Sequence, residues 1–274
     1  MEVKRQWVNG RWLEYTDIGR GRPILFLHGI LSDRRMWPTE SLVKLNEFRC
    51  IALTMRGFDD EGKATEDVNF SVDTHTQDLL EFCKQLQLSK VTLVAWSYSG
   101  HIALQAALEK SSLFKQVIIY ELIVPSYGMS EAERKTFARD MSRAMRPVKR
   151  ALKQENLLEA IDEFTQMCSN GSVTLAKQSA KVKQMKVDNR LTLSYLLNQP
   201  PPKAITANQL ATLSVPVHIF WGELSRDIFI LPSKAAHAAL GARGKIDGEI
   251  SGKEHLWPEK ETDSFSKLIK DRID

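Results

Sequence analysis

The residue whose setting best suits it for covalent chemistry is Ser97. It lies in Val91-Thr-Leu-Val-Ala-Trp-Ser-Tyr-Ser-Gly100, where an apolar strand-like run passes directly into the apolar helical stretch His101–Leu108. A strand that feeds straight into a helix makes a sharp turn, and a serine at the join presents its hydroxyl at the end of the sheet. That turn needs small residues two positions before and two after, because larger side chains collide. Ala95 and Ser99 meet the limit around Ser97, although both stand where the G-x-S-x-G pattern has glycine. Ser99 as nucleophile would be flanked by Ser97 and His101, and an imidazole is too bulky there. Ser97 is therefore the candidate nucleophile, set against the plainer possibility of a serine that only caps the helix.

A second segment, Pro23-Ile-Leu-Phe-Leu-His-Gly-Ile30, is a strand ending in His-Gly well upstream of the serine. Together the two segments resemble the α/β-hydrolase family, whose members carry an HG-x motif after the third strand. The resemblance spans nearly the whole core; the middle of the chain matches only as a helical insertion. It implies an oxyanion hole built from the backbone N–H groups of Ile30 and of Tyr98, the residue after the nucleophile. Two preorganised donors aimed at a developing O⁻ contribute several kcal/mol to catalysis. His28 itself is expected to order its loop. Arg56-Gly57 resembles the R-G of the family's D-x-R-G-x-G, with Thr54 at the Asp position, and reads as structural. Trp37 and Trp96 are candidates for lining a substrate pocket, with core packing equally open.

Six histidines compete for the role of base. His28 precedes the serine, His101 is in the helix after it, His75 begins a helix, His218 lies in a strand and His237 in an amphipathic helix. His255, in Glu249-Ile-Ser-Gly-Lys-Glu-His-Leu-Trp257, follows the last strand in a glycine-containing loop, where the family places its base. The order Ser, acid, His is then kept. The acid departs from the common pattern. The next-to-last strand ends Trp221-Gly-Glu-Leu-Ser225, so Ser225 occupies the usual Asp position. Glu121, directly after Val117-Ile-Ile-Tyr120, offers a carboxylate one strand beyond the nucleophile. Haloalkane dehalogenases, zearalenone-type lactonases and cofactor-free quinolone dioxygenases take their acid from that strand end, and this chain resembles them. Glu121 is the preferred acid, Asp227 the alternative, and Glu223 a third.

These residues need a scaffold that brings strand ends together. Val3–Val8 and Arg11–Tyr15, joined by Asn9-Gly10, read as a hairpin. Ile24–Leu27, Cys50–Leu53, Val91–Ala95, Val117–Tyr120 and Val217–Trp221 read as buried strands, with helices expected over 35–46, 73–87, 99–109, 232–240 and 260–271. The alternation predicts a doubly wound, mostly parallel sheet, the α/β-hydrolase fold. Between Val124 and Lys203 only helical patterns occur, closing at Gln199-Pro-Pro-Pro202. The expected organisation is a core of residues 1–124 and 204–274 with a helical cap over 125–203, overhanging the strand ends where ligands of open sheets bind.

The 274 residues suffice for one such domain, and a 43% hydrophobic content supplies its core. The net charge of +4 is scattered, without a basic run, so no nucleic-acid partner is expected. Three widely spaced cysteines form no metal-binding cluster and suit free thiols; no stretch reaches the length of a membrane span. A cytoplasmic protein acting on a small molecule is expected. The chemistry implied is acyl transfer without cofactor or metal: hydrolysis of an ester or lactone through an acyl-enzyme. Dehalogenation is disfavoured because it needs a carboxylate at position 97. Two alternatives stay open: a cofactor-independent dioxygenase in which the His–acid pair deprotonates the substrate, and a catalytically weak ligand-binding relative. Excess Lys and Arg in the cap hint at an acidic substrate group, which a solvated helix face explains as well.

Overall fold

The computed structural model describes residues 2–58, 68–241 and 248–273. The chain opens with β1 (Lys4–Val8) and β2 (Arg11–Ile18), paired antiparallel around Asn9-Gly10, both of which take positive φ. β3 (Arg22–Leu27), the short helix α1 (Thr39–Leu42), β4 (Phe48–Leu53), α2 (Val72–Gln85), β5 (Val91–Trp96), α3 (Tyr98–Glu109) and β6 (Phe114–Tyr120) follow. A helical stretch comes next: α4 (Glu131–Lys153), α5 (Leu157–Cys168), α6 (Ala180–Asp188), α7 (Thr192–Asn198) and α8 (Ala207–Ala211). The chain returns to the sheet with β7 (Val217–Gly222), α9 (Asp227–Leu240), β8 (Gly248–Ile250), α10 (Trp257–Lys260) and α11 (Thr262–Lys270).

The strands form one eight-stranded sheet in the order β1-β2-β4-β3-β5-β6-β7-β8, parallel from β4 to β8. From β3 the chain crosses to β4 on one side, then returns over β3 to β5 on the other. Right-handed crossovers in opposite directions put α1 and α2 on opposite faces, consistent with α1 meeting α11 while α2 meets α3. The central strands are buried on both faces, which explains their unbroken apolar runs: Ile24 through Leu27 and Val91 through Ala95 are nearly inaccessible. The reversal leaves a crevice between the carboxyl ends of β3 and β5, the place where open α/β sheets hold ligands.

Several boundaries differ from expectation. The helix expected over 35–46 is broken into a 3₁₀ turn (Arg34–Met36), α1 and a second 3₁₀ turn (Val43–Leu45). Pro38 is the cause, because it lacks an N–H and pushes Trp37 out of helical geometry. α9 begins at Asp227, five residues before the proline expected to open it, since Ile228 and Phe229 are fully buried and their packing outweighs Pro232 inside the helix. α4 runs through Pro147 in the same way, starting from a Ser130–Glu133 capping box. The terminal helix expected over 260–271 is α11, preceded by the short α10, which the pattern does not show. Among the described residues, no helix is long and apolar enough to cross a membrane. The three cysteines are free and buried.

Candidate active site

Ser97 lies between β5 and α3 with φ 62° and ψ −118°, and its hydroxyl makes no capping bond to the helix. Non-glycine backbone at positive φ costs about 1–3 kcal/mol and persists only where the surroundings enforce it. Leu31 (φ 59°) and Glu121 (φ 59°) share the feature. These three residues follow the adjacent strands β3, β5 and β6, so each of the strand ends that meet at the crevice carries one such residue. Ser97 is held by its own N–H, which donates to Tyr120 O at 3.0 Å. Ser99 is used structurally. Its hydroxyl donates towards Leu27 O and Trp96 O and accepts from Trp96 N–H, stitching β3, β5 and the turn together. Gly100 lets α3 approach β6 closely: a Cβ there would lie 2.8 Å from Leu122 Cδ2 and 3.3 Å from Glu121 O.

His255 comes from the loop between β8 and α10. Its Nε2 is 2.9 Å from Ser97 Oγ, and its Nδ1 meets Glu121 Oε2. A carboxylate oxygen only accepts, so Nδ1 carries the proton and Nε2 faces the hydroxyl with its lone pair. Glu121 is wholly buried, and its other oxygen accepts from Gly222 N–H at 2.7 Å and from the Ser225 hydroxyl at 2.5 Å. Ser225, standing at the usual acid position, thus binds the carboxylate that arrives from the neighbouring strand. Gly222 must be glycine for this arrangement, because a Cβ would lie 2.4 Å from Lys253 O and 2.7 Å from the Tyr120 hydroxyl oxygen. Asp227 and Glu223 lie elsewhere. Asp227 is exposed in the first turn of α9, and Glu223 accepts from Ser251 and Gly252 at the surface.

Other parts hold the imidazole in place. Phe229 stacks on it with centroids 3.6 Å apart and planes within 8°. The Trp96 indole N–H donates to His255 O at 3.0 Å, and the Tyr120 hydroxyl donates to Glu254 O at 3.0 Å. Ser233 accepts from Leu122 N–H and donates to Phe229 O, coupling the Glu121 strand end to α9. Sequence patterning does not reveal Phe229, Ser233 or the role of Ser225; each becomes visible only once β6, β7 and α9 are side by side.

Ile30 follows β3 and Tyr98 opens α3 directly after Ser97, so both come from the ends of the strands that flank the crevice. A Cβ on Gly29 would meet the Trp96 ring at 3.1 Å and Ser97 Cβ at 3.3 Å, so the loop of Ile30 passes directly over the serine. Among the described residues, neither the Ile30 nor the Tyr98 N–H meets a backbone acceptor outside its own element. The Tyr98 phenol contacts His75 Nδ1 at 3.0 Å and the Gln199 amide oxygen at 3.1 Å. Three of the other candidate histidines are committed to structure. His28 Nδ1–H donates to Gly29 O and its Nε2 accepts from Met55 N–H; His101 Nε2–H donates to Lys203 O. Burial pushes His28, His75 and His101 down to about 4. Arg56 ties loops, donating to both Asp78 oxygens and to Asn9 O.

The pocket expectation for the two tryptophans is corrected. Trp37 packs between Phe26 and Phe265, and Trp96 lies under His255, each 2% exposed. A cavity of about 680 Å³ is lined by Tyr98, the residue after the serine, by Ile123 and Val124 after β6, and by side chains of α4, α5 and α7, while Ser97 and His255 are not in its lining. Trp37 precedes Pro38 in a turn directed into the sheet, which removes it from that space.

The sequence model of the alpha/beta hydrolase fold matches residues 22–223. A probable alcohol acetyltransferase of Wickerhamomyces anomalus is 32% identical over 101 residues, 36% of this chain and 29% of that protein. The AB hydrolase superfamily protein YisY of Bacillus subtilis is 29% identical over 117 residues, 40% of this chain and 41% of that protein. The matches thus span about a third of the length of the curated relatives. Among solved structures, Est816, an N-acyl homoserine lactone degrading enzyme, superposes with a TM-score of 0.73 at 15% identity, covering 98% of this chain and 100% of that one. Bromoperoxidase from Bacillus anthracis gives 0.73 at 21% identity, with 98% of each chain covered.

Proposed function

Starting from a chain that belongs to the alpha/beta hydrolase fold family, we propose that it is a serine hydrolase cleaving an ester, lactone or related acyl bond. The observation that carries this reading is the alignment of Ser97 Oγ, His255 Nε2 and, behind Nδ1, Glu121. In the reading, His255 takes the Ser97 proton as the oxygen attacks the carbonyl carbon. The oxyanion forms against the N–H groups of Ile30 and Tyr98, and His255 returns the proton to the leaving alkoxide. Water, deprotonated by the same imidazole, then releases the acid. Glu121 keeps the proton-bearing tautomer in place and stabilises the imidazolium that forms. Residues 125–203 act as the cap over residues 1–124 and 204–274, so that the acyl group enters between the two parts.

The name of the Wickerhamomyces anomalus relative, a probable alcohol acetyltransferase, supports a second outcome of the same acyl-enzyme: resolution by an alcohol instead of water. Both outcomes share the covalent step, so that step is the one to test. Incubation with a fluorophosphonate followed by mass spectrometry should place the adduct on Ser97. Ser97→Ala should abolish it along with turnover of p-nitrophenyl esters and lactones, while Ser99→Ala should leave a measurable rate. A label on Ser99, or an unmodified protein, would remove the reading. Running the turnover with added ethanol and identifying the product separates transfer from hydrolysis.

A further inference from the structure

The cavity beside Tyr98 has a directional shape and a one-sided charge. One face of α4 forms its long wall, with Arg134, Phe137, Met141, Met145 and Lys149 in turn, and at 1.5 Å per residue that wall is about 22 Å long. Phe164 and Met167 of α5 and Leu196 and Leu197 of α7 complete an apolar lining. The two charged residues of the lining, Arg134 and Lys149, stand at opposite ends of the α4 wall, and both are exposed at the rim. Among the described residues no carboxylate lines the cavity, and neither cation forms an ion pair with one; Arg134 donates to Met129 O. A globular surface normally mixes both signs of charge. Here an elongated apolar slot, rich in conformationally adaptable methionine, ends in cations that no carboxylate of the lining faces; Arg134 also feels the neighbouring Glu133, whose carboxylate is bonded to Ser130 at the start of α4.

We propose that this slot takes the acyl half of the substrate as an extended apolar chain, and that the chain carries an anionic group remote from the scissile carbonyl. The proposal rests on the acyl-transfer reading above. The carbonyl lies at Ser97, the chain passes Tyr98 and runs along α4, and its far end meets a cation at the rim. Apolar contact supplies affinity, while the rim charge selects which long acyl groups are taken.

The test compares two p-nitrophenyl esters of equal length, decanoate and the monoester of decanedioic acid, which differ in a terminal carboxylate. The ratio of their kcat/KM values cancels their common chemistry. In Arg134→Gln/Lys149→Gln the ratio of carboxylate-ended to methyl-ended ester should fall about tenfold, and in the unsubstituted protein it should fall as salt is raised. Lys115→Gln, an exposed cation at the amino end of β6, should leave it where it is. A second arm uses Ser97→Ala and measures binding of monomethyl decanedioate against methyl decanoate by calorimetry. A carboxylate preference that disappears in the double variant supports the proposal even if neither ester is hydrolysed, in which case only the hydrolase reading fails. Equal binding of the two probes, or a preference that survives loss of both cations, overturns it.

Discussion

At the scale of single residues, the candidate acid shows how one substitution accommodates another. With Ser225 at the position where the family usually carries Asp, the loop after β7 offers the imidazole no carboxylate, but it offers a hydroxyl to the carboxylate that comes from β6. Glu121 reaches across because it is longer than Asp and because positive φ turns it off the strand axis. If this carboxylate orients His255, Glu121→Gln should retain the fold and lower kcat by about 10³–10⁴, since the imidazole loses both its charged partner and its preferred tautomer. Ser225→Ala should cost roughly tenfold, the loss of one hydrogen bond to a charged acceptor. Asp227→Asn should stay within about twofold of the parent, because an exposed helix-start carboxylate contributes little. Steady-state kinetics with circular dichroism as a fold check decides among these. A severe effect of Asp227→Asn with a mild one of Glu121→Gln would reverse the assignment.

At the scale of elements, what could be read from the chain followed a simple rule. Period and turn chemistry identified the buried strands and the hairpin, because a strand covered on both faces must be continuously apolar. The Ser97 turn was legible because size limits on Ala95 and Ser99 act within five residues. Proline misled in both directions: Pro38 broke a helix that the pattern joined, whereas Pro147 and Pro232 sit inside helices that tertiary packing carries through. Contacts between distant elements were not legible at all. An example is Lys186 of α6, which is 2% exposed and has its Nζ 2.9 Å from Glu259 Oε2 of α10, an ion pair poorly angled for a hydrogen bond. Gln178 donates to the other Glu259 oxygen at 2.7 Å. This pair ties the helical insertion to the segment just after His255. Lys186→Met leaves a buried carboxylate without its cation and should lower stability by about 3–5 kcal/mol. Lys186→Met/Glu259→Leu should recover most of that loss, since no charge is stranded. Urea unfolding of both variants measures it; a double variant as unstable as the single one would show that packing, and not charge, sets the cost.

At the scale of the whole molecule, three neutral histidines are built into the interior, and together they make stability depend on pH. His28, His75 and His101 belong to different parts of the chain, and each is at most 2% exposed. Burial lowers each from its ordinary 6.5 to about 4. In the unfolded chain the three rings take up protons near pH 6.5, while the folded protein resists until about pH 4. The unfolded state therefore binds more protons throughout that window, and stability rises with pH across it. The contribution is fully present above about pH 6.5 and is lost as pH falls towards 4, with a slope that can approach about 4 kcal/mol per pH unit when all three titrate together. The lowered carboxyl groups of Asp17 and Asp33 have ordinary values of 3.8, so their contribution is lost below this range. Set against a total stability of about 5–15 kcal/mol, the histidine term alone is large enough to bring acid unfolding above pH 4. Urea midpoints measured at pH 7.5, 6.0 and 5.0 should fall steeply between the last two. His101→Asn should weaken the pH dependence by up to one proton per molecule even if it lowers stability at neutral pH. A midpoint that is flat from pH 7.5 to 5.0 would mean that the folded protein takes up the same protons as the unfolded chain, and that burial does not hold the three rings neutral.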